Sequence, residues 1–399
     1  MTTNKEKTND SWEDPSTAAI SSGDEKTIVK KQFVTFKDGI LLTSGKKLSP
    51  VTVAYETFGT LSPQKDNVIL ITHALTGDSH CSGYYSHEEK PGWWNPLIGP
   101  GKAFDTDKYF IICSNCLGGC QGTTGPSSVN PETGKPYALS FPVITMHDMV
   151  NTQHKLLDHL GIDKLLAVSG GSMGGMNVLE WAVAYPEKVR SIIPISTCGR
   201  LSPQGIAFSE VERQAIISDP NWDNGNYYNG NLPANGLAIA RMIGHITYLS
   251  SESMLKKFGR RKRRDDVPDK FGKQFEIESY LHYQGDKFVT RFDANSYIYL
   301  TKAMDFYDIA ESCETFEEGA SQIKSKALFI SFRSDWLFSP RETLELVEAM
   351  RKTGREVDYH EIESEYGHDA FLVEYPKYSY LISRFLERVY RFYNTDTPV

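Results

Sequence analysis

Few stretches restrict a chain as tightly as KLLAVSGGSMGGMNVLEWAVAYPEKV, residues 164–189, where an apolar run stops and one serine stands among four glycines. Leu165 to Val168 is short, apolar and bounded by glycine, as a buried strand is. Met176 to Tyr185 is rich in good helix formers and ends before Pro186. Gly170-Gly171-Ser172-Met173-Gly174 therefore occupies a strand-to-helix turn. That is the setting of the G-x-S-x-G turn, which lifts a serine hydroxyl above a parallel sheet. Glycine is needed on both flanks because a Cβ there would strike the neighbouring strand or helix. A tight turn with a serine helix cap has the same local appearance. An acid and a histidine further along the chain distinguish the two.

With 399 residues the chain can bury a substantial core in one or two domains. A net charge of −8 excludes a broad nucleic-acid surface. No run of 18 apolar residues exists, so no membrane span is expected. The first 27 residues lack the apolar stretch of a secretory signal and carry too many acids for a mitochondrial leader. They read as a disordered tail on a cytoplasmic protein. Cys113, Cys116 and Cys120 form a C-x2-C-x3-C array, but no second pair or histidine completes a tetrahedral metal site. Buried thiols beside a glycine-rich loop are the expectation, with no metal and no disulfide scaffold.

Apolar runs at 51–59, 67–73, 109–115, 189–197 and 326–335 alternate with helical stretches. This predicts an α/β fold, a mostly parallel sheet with helices on both faces. The rhythm changes between about Arg200 and Ser312. There, Ser209 to Glu212 reads as a capping box opening a helix towards Asp219. Residues 236–258 read as one long helix, FEIESYLHYQ as a third, and ANSYIYLTKAMDFYD as a fourth capped by Asp293. The division is a core of 28–199 and 313–399, with a helical cap inserted at 200–312. The basic run at 256–264 is followed by Asp265, Asp266 and Asp269 and reads as a solvated turn.

In open parallel sheets, functional groups lie beyond the carboxyl ends of the strands. Asp335 directly follows the run Ala327 to Phe332, and His368 sits in SEYGHDAF after a weak strand. Ser172, Asp335 and His368 thus occur in the chain order of the α/β-hydrolase superfamily. In that arrangement His368 is the base that activates the Ser172 hydroxyl, and Asp335 holds the imidazole tautomer. An oxyanion would need two backbone N–H donors. Met173, after the nucleophile, and Leu75, in the loop after Val68 to Thr72, are the candidates.

Longer motifs go further. AYETFGTL, THALTGDSH, GWWNPLIGPGKAFDTDKYFIICSNCLGGCQGTTGPSS, GGSMGGMNVLEWA, RMIGHITYLS, RFDANSYIYLTKAMD, SDWLFSP and YGHDAF together resemble the homoserine O-acetyltransferase family over roughly residues 45–390. The resemblance implies an α/β-hydrolase fold and an acyl-CoA-dependent transferase of methionine biosynthesis. Acetyl-CoA would be a co-substrate, with no bound cofactor. It places the nucleophile on Ser172, the acid on Asp335, the base on His368 and the oxyanion donors on Leu75 and Met173. Substrate-binding roles fall on Arg241, Tyr248, Asp369 and Thr76, and the family's dimer implies a homodimer through the cap helices. The residues themselves agree in one respect. Arg241 stands among apolar neighbours, where an unpaired charge is costly, and Tyr248 lies two helical turns on, on the same face. Such a face suits an amino acid's carboxylate, and Asp369 its ammonium group.

The same residues also fit an esterase, a succinyl-CoA- or serine-dependent relative, or a non-catalytic protein on this fold. The clamp of Arg241, Tyr248 and Asp369 argues for a transferase over an esterase, and an intact triad argues against a binding protein.

Overall fold

The computed structural model describes residues 26–263 and 272–394. Most of the expected tail and all of Asp265, Asp266 and Asp269 therefore lie outside the described residues. Thr27, the last residue of that tail, is described, and its carbonyl accepts the Tyr84 N–H at 2.9 Å.

Eight strands form one sheet: β1 (Gln32–Phe36), β2 (Val51–Phe58), β3 (Val68–Thr72), β4 (Phe110–Ser114), β5 (Ala167–Gly171), β6 (Ser191–Ile195), β7 (Lys326–Phe332) and β8 (Val357–Ile362). Their spatial order is β1-β2-β4-β3-β5-β6-β7-β8. β2 runs antiparallel to both neighbours, and β4 to β8 are parallel. The order reverses between β4, β3 and β5, so the carboxyl ends of β3 and β5 lie side by side, with Thr72 opposite Gly170.

The central strands β3, β5 and β6 are buried throughout because both faces are covered. On β3, Val68 and Leu70 enter one core, while Ile69 and Ile71 enter the other. The first core takes α1 (Met146–His159) and α2 (Met173–Ala184). The second takes the C-terminal helix, whose Tyr378, Ile382, Phe385, Leu386 and Val389 form one buried stripe at helical spacing.

Between Arg200 and Asp308 the described residues form five α-helices away from the sheet: α3 (Pro203–Ile217), α4 (Ala234–Tyr248), α5 (Ser251–Phe258), α6 (Glu276–Val289) and α7 (Ala294–Phe306). A bridge between Arg200 and Asp308, with the Ile309 N–H donating to Gly199 at 2.8 Å, draws the two ends of this block together. Two sequence expectations need correction here. α3 opens at Pro203 with Ser202 as its cap, so Ser209 and Glu212 lie inside the helix and are buried. The single helix expected over 236–258 is two, because Leu249 is extended and Ser250 caps a new helix through the Ser253 N–H. The Asp293 cap of α7 is present and accepts from the Ser296 N–H. α8 (Phe316–Ser321), α9 (Pro340–Lys352), α10 (Ala370–Val373) and α11 (Tyr375–Asn394) complete the chain.

Candidate active site

Ser172 sits between β5 and α2 at φ +59°, ψ −127°, a conformation non-glycine residues adopt only under surrounding constraint. The constraint is visible. Its N–H donates to Ile195 at 3.0 Å, and its carbonyl accepts from the Thr197 hydroxyl at 2.9 Å. A Cβ on Gly170 or Gly174 would run into the Thr72 carbonyl of the adjacent strand. Those glycines let the turn lie against β3, and the serine hydroxyl is thereby presented above the sheet.

Asp335 follows the end of β7, and His368 lies in a short 3-10 turn after β8. The His368 ring bridges them to the serine: Nδ1 is 2.7 Å from Asp335 Oδ2, and Nε2 is 2.8 Å from Ser172 Oγ. All three side chains are buried. Asp335 is held by its other oxygen, which accepts from the Leu337 and Phe338 N–H groups at 3.1 and 2.9 Å. The Phe338 ring stacks on the imidazole, with centroids 5.0 Å apart. Carboxylate and ring are thus fixed before any substrate arrives, the preorganisation that acyl chemistry on a serine requires.

Met173 is the first residue of α2, where an N–H has no carbonyl inside the helix to pair with. Leu75 lies in the loop after β3 and is buried. One residue that sequence reasoning passed over organises this loop. His73 Nε2 accepts from the Cys116 N–H at 2.9 Å, so the ring proton is on Nδ1, which donates to Ala74 O at 2.8 Å. Burial pushes the His73 pKa down, which keeps this neutral tautomer. The peptide before Leu75 is therefore tied to the glycine-rich loop at 115–125. Cys113 and Cys116 in that region are buried and Cys120 half-buried; burial raises all three thiols. The Cys113 thiol faces the Asp78 carbonyl at 3.6 Å.

From above, α4 brings Arg241 and Tyr248 over the same space. The guanidinium lies 5.6 Å from the Tyr248 ring and 4.8 Å from the Phe288 ring, and Nη1 reaches the Thr76 hydroxyl at 3.4 Å. Among the described residues no carboxylate lies within 4.0 Å of it, and its Nε is buried without a partner. The Tyr248 ring is 6.0 Å from the His368 ring, and Asp369 is near enough to raise the Tyr248 pKa, although burial is the larger cause. The structure therefore links Ser172, His368 and Asp335 by hydrogen bonds, Tyr248 to His368 by their rings and Arg241 to Tyr248 and Thr76, with Leu75 and Met173 buried in the core beneath the sheet's carboxyl edge.

The break between α4 and α5 explains how the cap is seated. Trp336, next to Asp335, donates its indole N–H to the Leu249 carbonyl at 3.0 Å. Gly367, next to His368, has φ +69°, and a Cβ there would lie 2.6–2.8 Å from the backbone at Tyr248, Leu249 and Ser250. The Ser250 hydroxyl bonds the Glu365 carbonyl. An unbroken helix would leave none of these backbone groups available.

Behind Arg241 and Tyr248 stands Glu212, 5% exposed, whose carboxylate accepts from the Tyr297 hydroxyl at 2.9 Å. Burial pushes its pKa up to about 7. For an acid raised in the folded state, the unfolded chain releases its proton first, so stability falls as pH rises from the ordinary 4.5 to about 7. The shift corresponds to roughly 3 kcal/mol. Glu212→Gln should therefore melt higher than the parent at pH 8, with the difference vanishing near pH 4.5. A Tm difference equal at both pH values in calorimetry would contradict this.

Residues 67–375 match the family model described as alpha/beta hydrolase fold. The homoserine O-acetyltransferase of Deferribacter desulfuricans is 57% identical over 91% of this chain and 97% of its own. A crystal structure of homoserine O-acetyltransferase from Bacillus anthracis, 34% identical, superposes with a TM-score of 0.86 over 91% of this chain and 98% of that one. Esterase E22 is 33% identical, with a TM-score of 0.84 over 90% and 100%. The fold and the triad geometry are therefore compatible with two outcomes, and the sequence match decides between families. A relative more than half identical along nine-tenths of the chain goes well beyond a shared fold: this protein belongs to the homoserine O-acetyltransferase family of alpha/beta-hydrolase-fold acyltransferases.

Proposed function

We propose that the protein transfers the acetyl group of acetyl-CoA to the hydroxyl of L-homoserine through an ester on Ser172, giving O-acetyl-L-homoserine for methionine biosynthesis. In the first half-reaction Ser172 Oγ attacks the thioester carbonyl while His368 Nε2 takes its proton. The Leu75 and Met173 N–H groups receive the oxyanion. The CoA thiolate leaves with that proton. In the second, His368 deprotonates the homoserine hydroxyl, which attacks the serine ester and regenerates the serine.

The observation that carries the choice of acceptor is Arg241. A guanidinium held above the nucleophile by Thr76 and two aromatic rings, with no carboxylate beside it among the described residues, is prepared for an anionic group. Water as acceptor needs no such group. Asp369 would meet the ammonium end. The reading takes CoA as a co-substrate, with no resident cofactor. It also takes a second copy of the chain as partner through the cap, whose α4 and α6 expose Ile239, Ile246 and Tyr283, and a cytoplasmic location.

Because CoA leaves before homoserine reacts, initial rates with both substrates varied should give parallel double-reciprocal lines. Intersecting lines would indicate direct transfer in a ternary complex. Acetyl-CoA and succinyl-CoA, each offered with homoserine, serine or no acceptor, test donor and acceptor in one experiment.

A further inference from the structure

A backbone N–H is half of a peptide unit whose other half is a carbonyl, and the two point in opposite directions within one rigid plane. Fixing the carbonyl therefore aims the N–H. The Met173 N–H shares its plane with the Ser172 carbonyl, and the Leu75 N–H shares its plane with the Ala74 carbonyl. Among the described residues neither N–H donates to a backbone carbonyl. Each carbonyl, by contrast, is held twice. Ser172 O accepts from the Met176 N–H at 3.2 Å and from the Thr197 hydroxyl at 2.9 Å. Ala74 O accepts from the Gly77 N–H at 2.9 Å and from His73 Nδ1 at 2.8 Å. The backbone bond alone would satisfy either carbonyl, so what the side chains add is direction. Both side chains are themselves anchored. Thr197 is 1% exposed, and its carbonyl accepts from the Thr343 hydroxyl of α9 at 2.9 Å. His73 is 3% exposed, and its Nε2 accepts from the Cys116 N–H at 2.9 Å and the Asn115 amide at 3.2 Å.

We propose that Thr197 and His73 are positioning residues for the oxyanion: each grips one of the two donor peptides by its carbonyl and so aims the N–H on the other side. The inference rests on Leu75 and Met173 being the oxyanion donors, as assigned under the proposed function. The grips come from the two strands that flank β5, with Thr197 just beyond β6 and His73 just beyond β3. A second bond on a carbonyl also polarises its peptide unit and makes the N–H a stronger donor. The same oxyanion geometry arises in both half-reactions, so both depend on the two grips.

Thr197→Val and His73→Gln test one grip each. Valine keeps the shape and removes the hydroxyl. Glutamine can still accept from the Cys116 N–H but has no donor where Nδ1 stood. Acetyl-CoA isotope-labelled at the acetyl carbonyl is mixed with each protein without homoserine, and the serine ester is followed by difference infrared spectroscopy. Each variant should move the ester carbonyl band to higher wavenumber than in the parent, because a misaimed N–H binds the ester oxygen more weakly. Single-turnover rates of CoA release and of homoserine-dependent deacylation should both fall by about tenfold, with the homoserine KM little changed. Thr197→Ser keeps the hydroxyl and should restore both band and rates. A merely structural role would lower the yield of folded enzyme without moving the band of what remains. Should His73→Gln fail to fold, the two Thr197 variants decide the matter. An unmoved band in a folded variant, or slowing confined to one half-reaction, overturns the proposal. Parent protein that forms no acetyl-serine refutes the proposed function itself, and this inference with it.

Discussion

Ser172→Ala is expected to lose acetyl transfer by about a millionfold, the scale on which removing the nucleophile of a triad acts. The alanine keeps the Cβ that the turn already accommodates at φ +59°, so the loss should leave the melting temperature almost unchanged. Intact-mass measurement after mixing with acetyl-CoA alone should show one acetyl adduct on the parent chain and none on the variant. An alanine variant that acetylates homoserine at the parent rate would remove Ser172 from the mechanism, whatever its distance from His368.

Arg241→Ala separates the two half-reactions. The guanidinium acts on the acceptor, after CoA has left. Losing a partly buried, charge-assisted contact costs about 2–5 kcal/mol, roughly 30-fold to several thousandfold in rate. The burst of CoA from a single turnover should remain near the parent rate. The homoserine-dependent step should slow by the full factor, while slow hydrolysis of the acyl-enzyme continues. Lysine at 241 should restore part of the loss, since a point charge cannot reproduce the guanidinium fork. If the burst disappears in a folded Arg241→Ala protein, the arginine serves the donor, and the carboxylate clamp is wrong.

How far these residues could be read from the chain depended on how local their signals were. The turn at Ser172 is written in four glycines within six positions, because a Cβ on Gly170 or Gly174 would strike Thr72, one on Gly171 the Phe371 ring and one on Gly175 the Thr197 side chain. Asp335 and His368 each follow a strand, and the parallel topology brings such ends together without further instruction. β1 was missed because its residues alternate between exposed and half-buried, a weak pattern at a sheet edge. The break at Leu249–Ser250 was missed because it is imposed by Trp336 and Gly367, far along the chain. Ser209 and Glu212 imitate a capping box although they face the interior, where Glu212 meets Tyr297 on another helix. His73 follows β3 and shows its function only once Cys116 lies beside it. Residues that act through a distant partner leave no periodicity to find.

The seating of the cap also limits how this family can diversify. The carbonyl of Leu249 is held by the residue next to the acid, and the backbone at 248–250 is met by the residue next to the base. A cap exchanged between relatives would therefore have to bring compatible residues at 336 and 365–367, or the imidazole would lose its alignment along with its roof. Acceptor preference and acid–base geometry are inherited together, and laboratory evolution of a new acceptor should find its compensating changes in those two short loops.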